Sequence, residues 1–245
     1  MPDLFTTVPN AWLAATPFYE HAMDATLAAL QHPQACARLK KYYSREGNYA
    51  GATFVEVGPF EPYAFTEGDL LALTLLEVQA PPVALRRILQ PGVTRDRLNA
   101  LVAEESISID ADLAMVEADT LLAMEELYLE VKQAVSRDGS TTANPWVTAS
   151  KLCARKRPDL FPVRDNVVCG YLGILRAGGY QVDWQVFRHL IQSREVVSRL
   201  DELVSEAQAD PDVNVGRVNN RLRHLDVVLW MHAPRGVADF AQRAS

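Results

Sequence analysis

Prolines interrupt this chain wherever an apolar-periodic run would otherwise continue, and that punctuation restricts it to short helices. Thr16-Pro17 combines a capping residue with a proline suited to a first helical turn, and opens a run to about Leu30. Pro33 restarts the chain into a second helix ending near Tyr43, with Arg38, Lys40 and Lys41 on its basic edge. Pro81-Pro82 ends the apolar run at 70–79, Pro91-Gly92 breaks the next helix, and Asn144-Pro145 and Pro158 bound another. A proline inside a helix costs about 3 kcal/mol, so none of these runs can fuse with its neighbour. The expectation is an all-α, orthogonal multi-helix domain rather than a long coiled bundle. Residues Tyr49–Val57, β-branched around Thr53, Val55 and Val57, are the one candidate strand, so at most one short strand or hairpin is expected.

Further signals fill in the helices. Thr66-Glu67-Gly68-Asp69 is a capping-box variant before the 70–79 run, and Thr94 caps the helix after Pro91-Gly92. Asp110 is expected to cap a long helix reaching about Val135, with Leu113, Val116, Leu121, Met124, Leu127 and Val131 on its apolar side. Residues 165–177 read as an apolar helix closed by Gly178-Gly179, Asp183 as the cap of a helix starting at Trp184, and 196–208 and 215–231 as the last two.

Hydrophobic residues make up 49% of the chain and charged ones 22%, which suits a globular core rather than disorder. No run approaches the ~18 apolar residues that span a bilayer, and the N-terminus carries Asp3 instead of the basic start of a signal peptide. Cys36, Cys153 and Cys169 are odd in number and lack CxxC spacing, which argues against a disulfide framework or zinc and for a reducing, cytoplasmic location. The net charge of −7 is unevenly distributed. Residues 1–140 carry 10 basic and 20 acidic side chains, and residues 141–245 carry 14 and 11. The turn-rich segment Arg137–Thr142 marks this change, so an acidic part (1–140) and a basic part (141–245) are expected within one compact unit.

The densest chemical signal lies in residues 144–168, NPWVTASKLCARKRPDLFPVRDNVV. Lys151 and Arg155 share a helix face at i, i+4, while Trp146, Cys153 and Arg157 lie towards another side. Cations in a last turn meet the negative end of the helix dipole, which alone accounts for Arg155, Lys156 and Arg157. Lys151 lies too far inside its helix for that explanation. Asp165 is expected in the first turn of the following helix, as a cap or as a carboxylate orienting a polar substrate. Near the C-terminus Arg217, Arg221 and His224 follow one face, and Arg223 and Asp226 read as a solvated i, i+3 pair. The acidic residues of the long helix (Asp112, Glu117, Asp119, Glu125, Glu126, Glu130) lack the Glu-x-x-His pair of a di-metal bundle site. There is no HExxH, GxSxG or phosphate-cradling glycine loop, so no metal or cofactor is expected.

Two resemblances rest on these residues. Tyr49-x-Gly51-x-x-Phe54, FTEGDLLALTLLEVQAPP, ASKLCARKRPDLFPVRDNVV and RHLDVVLWM are similar to an actinobacterial family classed as a domain of unknown function, and that likeness implies no activity. VTASKLCARKRPDLFPVRD resembles the hairpin-and-aspartate region of helix-hairpin-helix DNA glycosylases, which implies a helix-start Asp at Asp165. Here the hairpin glycines are replaced by Asn144-Pro145-Trp146, Arg164 is an extra residue before the carboxylate, and Pro145 stands about where bifunctional members carry a catalytic lysine.

Three functional readings follow. In the first, Lys151, Arg155 and Arg157, with Trp146, Arg221 and His224, bind a small anionic or zwitterionic molecule, and Asp165 with Lys151 orients it or moves a proton. In the second, the chain is a degenerate glycosylase-like nucleic-acid binder, a role its net charge disfavours. In the third it is a protein-interaction scaffold that docks a partner through the acidic long helix or the basic C-terminal part.

Overall fold

The structure is a computed structural model that describes residues 8–234. Asp3 and the N-terminal signal-peptide reading lie outside the described residues. Eleven α-helices are present among them: α1 Thr16–Leu30, α2 Ala35–Tyr43, α3 Glu67–Thr74, α4 Pro82–Leu89, α5 Val93–Val102, α6 Ala118–Ala134, α7 Trp146–Lys156, α8 Asn166–Tyr171, α9 Tyr180–Gln192, α10 Arg194–Gln208 and α11 Arg221–His232. The described residues contain no sheet, only an isolated antiparallel bridge between Ser44 and Val213. The all-α expectation holds.

The chain divides into two units with boundaries at 10/11, 52/53 and 161/162. The first is built on Thr53–Phe161 and contains α3–α7; the second joins Ala11–Ala52 to the chain from Pro162 onward and contains α1, α2 and α8–α11. No boundary coincides with 140/141. Arg137–Thr142 lies inside the first unit, held by bonds such as Gln133 Nε2 to Gly139 O (3.0 Å) and Ser140 N to Asp138 Oδ1 (2.9 Å).

In the first unit α6 packs on α5 and α7, and α7 on α3. Leu121, Met124, Leu127 and Val131 supply the buried side of α6, and Leu152 and Cys153 that of α7. In the second unit α2 packs on α10 and α11, and α1 on α9, with Leu39, Tyr43, Phe187, Leu200 and Leu225 in the core.

Several local expectations are corrected, each for a physical reason. Tyr49–Val57 forms no strand. Ala50–Thr53 is a 3₁₀ turn, and the carbonyls of Phe54 and Val57 accept from Arg155 (3.1 and 2.7 Å) instead of pairing in a ladder. The capping box is present, but α3 stops at Thr74, because Glu77 adopts φ 58° and Val78 N–H returns to Leu73 O (3.2 Å) in a Schellman-type closure. Asp110 caps nothing: Asp112 Oδ1 takes Ala114 N–H, Leu113 N–H donates to Asp159 O, and α6 starts eight residues later at Ala118. Gly92, not Thr94, occupies the N-cap position of α5.

The apolar helix at 165–177 ends early. Gly173, at φ 73°, lets Ile174 N–H reach Cys169 O (2.9 Å), so the stop precedes Gly178-Gly179. Asp183 sits inside the first turn of α9 rather than capping it, paired with Arg164. The last helix begins only at Arg221, where the Asn220 side chain caps it by accepting Arg223 N–H (3.3 Å).

Candidate functional site

The cation cluster on α7 faces the interior of the first unit, and its partners are mostly backbone carbonyls. Lys151 Nζ donates to Leu76 O at 2.9 Å, so this lysine, mid-way along its own helix, satisfies an open carbonyl just past the end of α3. Arg155 is 1% exposed and donates to Phe54 O, Val57 O and Asp69 Oδ1 (3.3 Å). Lys156 donates to Glu61 O (2.6 Å) and pairs with Asp69 Oδ2 (2.6 Å), with the Phe60 and Phe65 rings 5.1 and 5.4 Å from its nitrogen. Arg157 Nε donates to Ile107 O (2.6 Å) and Nη1 to Pro62 O and Lys156 O (both 2.9 Å), and Nη2 bonds Val102 O. Trp146 opens α7 and is partly exposed.

Asp69 of α3 is a counter-ion to both Arg155 and Lys156. Asp69 is fully buried, and Oδ2 also accepts Thr66 N–H (2.9 Å) and the Thr66 hydroxyl (3.1 Å). One carboxylate therefore closes the capping box of α3 and neutralises part of α7. Burial pushes the Lys156 ammonium below its ordinary range while Asp69 pulls it back up, and burial also lowers Arg157. The arrangement staples the irregular 54–65 segment and the ends of α3 and α5 onto α7.

Asp165, Arg221 and His224 belong to the second unit. Asp165 is the N-cap of α8: Oδ1 accepts Val168 N–H at 2.8 Å. Its other oxygen makes no hydrogen bond among the described residues, and the side chain is partly exposed. Arg221 forms a two-pronged pair with Asp201 (3.2 and 2.8 Å), about four-tenths exposed on both sides. Arg217 precedes α11 and so shares no helix face with Arg221 and His224; its carbonyl instead meets His224 Nε2 at 3.0 Å. His224 Nδ1 meets the Tyr43 hydroxyl at 3.0 Å. A carbonyl can only accept, so Nε2 carries the proton and Nδ1 accepts from Tyr43. Burial pushes His224 down to about 4.

Arg223 and Asp226 are buried rather than solvated, at 6% and 5% side-chain exposure, and pair at 2.5 Å. Arg223 also bonds the Tyr42 hydroxyl and donates to Gly51 O (3.0 Å), with its guanidinium 5.4 Å from the Tyr42 ring centre. Burial raises the Tyr42 phenol, Arg223 pulls it down, and the nearby carboxylates of Asp226 and Asp165 raise it further. Tyr42 stacks on Tyr49 (5.2 Å) and meets Trp230 edge-on (6.2 Å), and Tyr49 and Trp230 are both partly exposed. Tyr42, Tyr49 and Trp230 thus form an aromatic cluster whose Tyr42 phenol feels the charge of Asp165.

Sequence reasoning missed Asp69 as a counter-ion, Arg164–Asp183 (2.7 Å from Nε) and the Tyr42–Arg223–Asp226 cluster. The FTEGD motif contained the first, but as a cap only. Local spacing indicated the Arg223–Asp226 pair, though as a solvated one, but neither Arg164–Asp183 nor the joining of Tyr42 to Arg223, which the fold brings together.

A family model matches residues 35–233 of the chain. The chain belongs to DUF6308, a family of unknown function. No curated protein and no solved structure matches it. The DUF6308 match runs from the start of α2 through the end of α11, so it includes both the α7 staple and the Asp165 neighbourhood. No helix among the described residues is long and apolar enough to cross a membrane.

Proposed function

We propose that this DUF6308 protein binds a small zwitterionic or cationic molecule on its second unit, with Asp165 receiving the ligand's positive group. The observation that carries the reading is the divided state of that carboxylate: one oxygen is fixed by Val168 N–H and the other is open. A fixed carboxylate is oriented without losing its capacity to accept from a ligand. Tyr49 and Trp230, partly exposed beside Tyr42, supply the aromatic faces that attract cations. Arg155 and Arg157 are not part of this proposed site, because their donors already meet carbonyls and Asp69. Lys151 likewise holds Leu76 O.

Asparagine caps a helix as well as aspartate does, so Asp165→Asn removes the charge and keeps the fold. Calorimetry with amino acids, alkylammonium ions, phosphate and sulfate is the test. The expected result is ammonium-containing ligands bound by the wild type and lost in Asp165→Asn at unchanged melting temperature. Equal or negligible binding of all these ligands by both proteins would sink the reading.

A glycosylase-like role is the second reading. Its support is the order of α6, a bend-rich loop, α7 and then Asp165 at a helix N-cap. Against it, once the buried Lys151, Arg155, Lys156, Arg157 and Asp69 are set aside, residues 53–161 carry 6 basic and 16 acidic side chains. A gel shift with duplex and single-stranded DNA at low salt separates the two readings, since phosphate-driven binding strengthens steeply as salt falls.

A further inference from the structure

The outer face of α6 carries a repeat that the core does not use. Asp119, Leu122, Glu126 and Leu129 are all exposed and recur at spacings of three and four, so they form one stripe along the helix. Leu122 is 47% and Leu129 43% exposed, while Leu121, Met124, Leu127 and Val131 already fill the buried side. Glu130 flanks the stripe, and neither it nor Asp119 makes a hydrogen bond or ion pair among the described residues. A cleft of about 320 Å³ opens along the same face, lined among others by Glu126, Leu129, Glu130, Arg97, Ser140 and Thr141.

We propose that this stripe docks a basic amphipathic helix of another protein. Apolar side chains of that helix would seat on Leu122 and Leu129, one of them entering the cleft, and its Lys or Arg residues would meet Asp119, Glu126 and Glu130. Charge selects this occupant. With its cations drawn inside on α7, the exterior of residues 53–161 is strongly acidic, which repels nucleic acid and anionic membranes. A second copy in parallel register would bring acid against acid, and in antiparallel register it would cover acids with leucine. Arg97 pairs with Glu126, but both side chains are about half exposed, so a partner's lysine can replace it at little cost. From Asp119 to Glu130 the stripe spans about 16 Å, roughly three turns of a partner helix.

The test uses a labelled helical peptide with leucines at heptad spacing and flanking lysines, alongside the same peptide with glutamates for the lysines, read by fluorescence anisotropy. Wild-type protein should bind the lysine peptide saturably and the glutamate peptide at least about tenfold more weakly. Leu122→Ala/Leu129→Ala should weaken binding by roughly tenfold or more. Glu126→Lys/Glu130→Lys should reverse the peptide preference; Leu122, Glu126 and Leu129 are exposed and Glu130 half-buried, and circular dichroism checks that both variants fold. No saturable binding of the lysine peptide, or binding unchanged in both variants, overturns the proposal. So does a wild-type dimer in velocity sedimentation that Leu122→Ala/Leu129→Ala dissociates.

Discussion

Replacing Asp69 by asparagine tests the α7 staple most directly. Asp69 is fully buried and is the anion that faces both Arg155 and Lys156. Removing one partner of a buried ion pair costs about 3–5 kcal/mol, because the remaining charge stays desolvated. Two features of the site bear on that figure. The cations keep the carbonyls of Phe54, Val57 and Glu61, which favours the lower end. An asparagine amide can accept only through one oxygen and would turn donors towards donors, which favours the upper end. A loss of about 3–4 kcal/mol is therefore expected, a large part of the ~5–15 kcal/mol that stabilises a domain. In urea, with a slope of about 1–3 kcal/mol per molar, the midpoint should fall by at least about 1 M.

Two controls separate electrostatics from packing in this experiment. Lys156→Met in the same background removes the orphaned charge, so Asp69→Asn/Lys156→Met should be more stable than Asp69→Asn alone. The Asp69→Asn penalty should also shrink at alkaline pH. Burial already lowers Lys156 and Asp69 opposes that shift, so without Asp69 the folded pKa drops further below the unfolded 10.5. The penalty is then complete below the folded pKa and disappears as pH rises through it towards 10.5. A cost under about 1 kcal/mol for Asp69→Asn, the range of an exposed pair, would refute the reasoning.

Other expectations are more local. His224 titrates at about 4 in the fold against 6.5 when free, so its contribution is complete above pH 6.5 and is lost as pH falls from 6.5 towards 4. At about 1.4 kcal/mol per pH unit this is about 3 kcal/mol of acid sensitivity; NMR titration reads it directly, and a His224 pKa near 6.5 would refute burial as the force that lowers it. Lys151→Met leaves Leu76 O without its donor and should cost about 1–3 kcal/mol in urea unfolding while leaving ligand binding intact. Gly173→Ala should cost about 1–3 kcal/mol, since Gly173 sits at φ 73° and a Cβ there would lie 2.8 Å from the His21 ring. Its melting temperature, compared with that of Gly173→Ala in a His21→Ala background, isolates the contact, because removing the ring leaves only the φ strain.

Helices were legible in this sequence wherever the signal was local. Thr16-Pro17, Pro33 and Pro81-Pro82 mark starts or stops through the missing N–H and fixed φ of proline, and α1, α2 and α4 begin within two residues of them. The capping box was legible because its two partners are three residues apart. Some errors arose where a local signal had a distant competitor. Tyr49–Val57 has strand-like side chains, but a strand needs a ladder, and the carbonyls of Phe54 and Val57 find the Arg155 guanidinium about a hundred residues later. Asp110 and Asp183 are good capping residues by type; the Leu113–Asp159 backbone bond and the Arg164 guanidinium decided their surroundings.

The candidate site divides along the same line. Asp165 at a helix start was readable from the PVRDN turn, because a cap acts over three residues. The purpose of the four cations was not. Lys, Arg, Lys, Arg over seven positions looks alike whether it meets a ligand, a helix dipole or carbonyl oxygens, since all three offer negative charge. Lys151 was singled out for lying too deep in its helix to cap it, and it does complete a helix end, that of α3. Burying these cations also changes the meaning of the net charge. The overall −7 dilutes a surface on residues 53–161 in which acids outnumber bases 16 to 6, so basic side chains in the sequence are a poor guide to what that surface attracts. A partner for the first unit should be sought among cations, and the open carboxylate of Asp165 points the same way for the second.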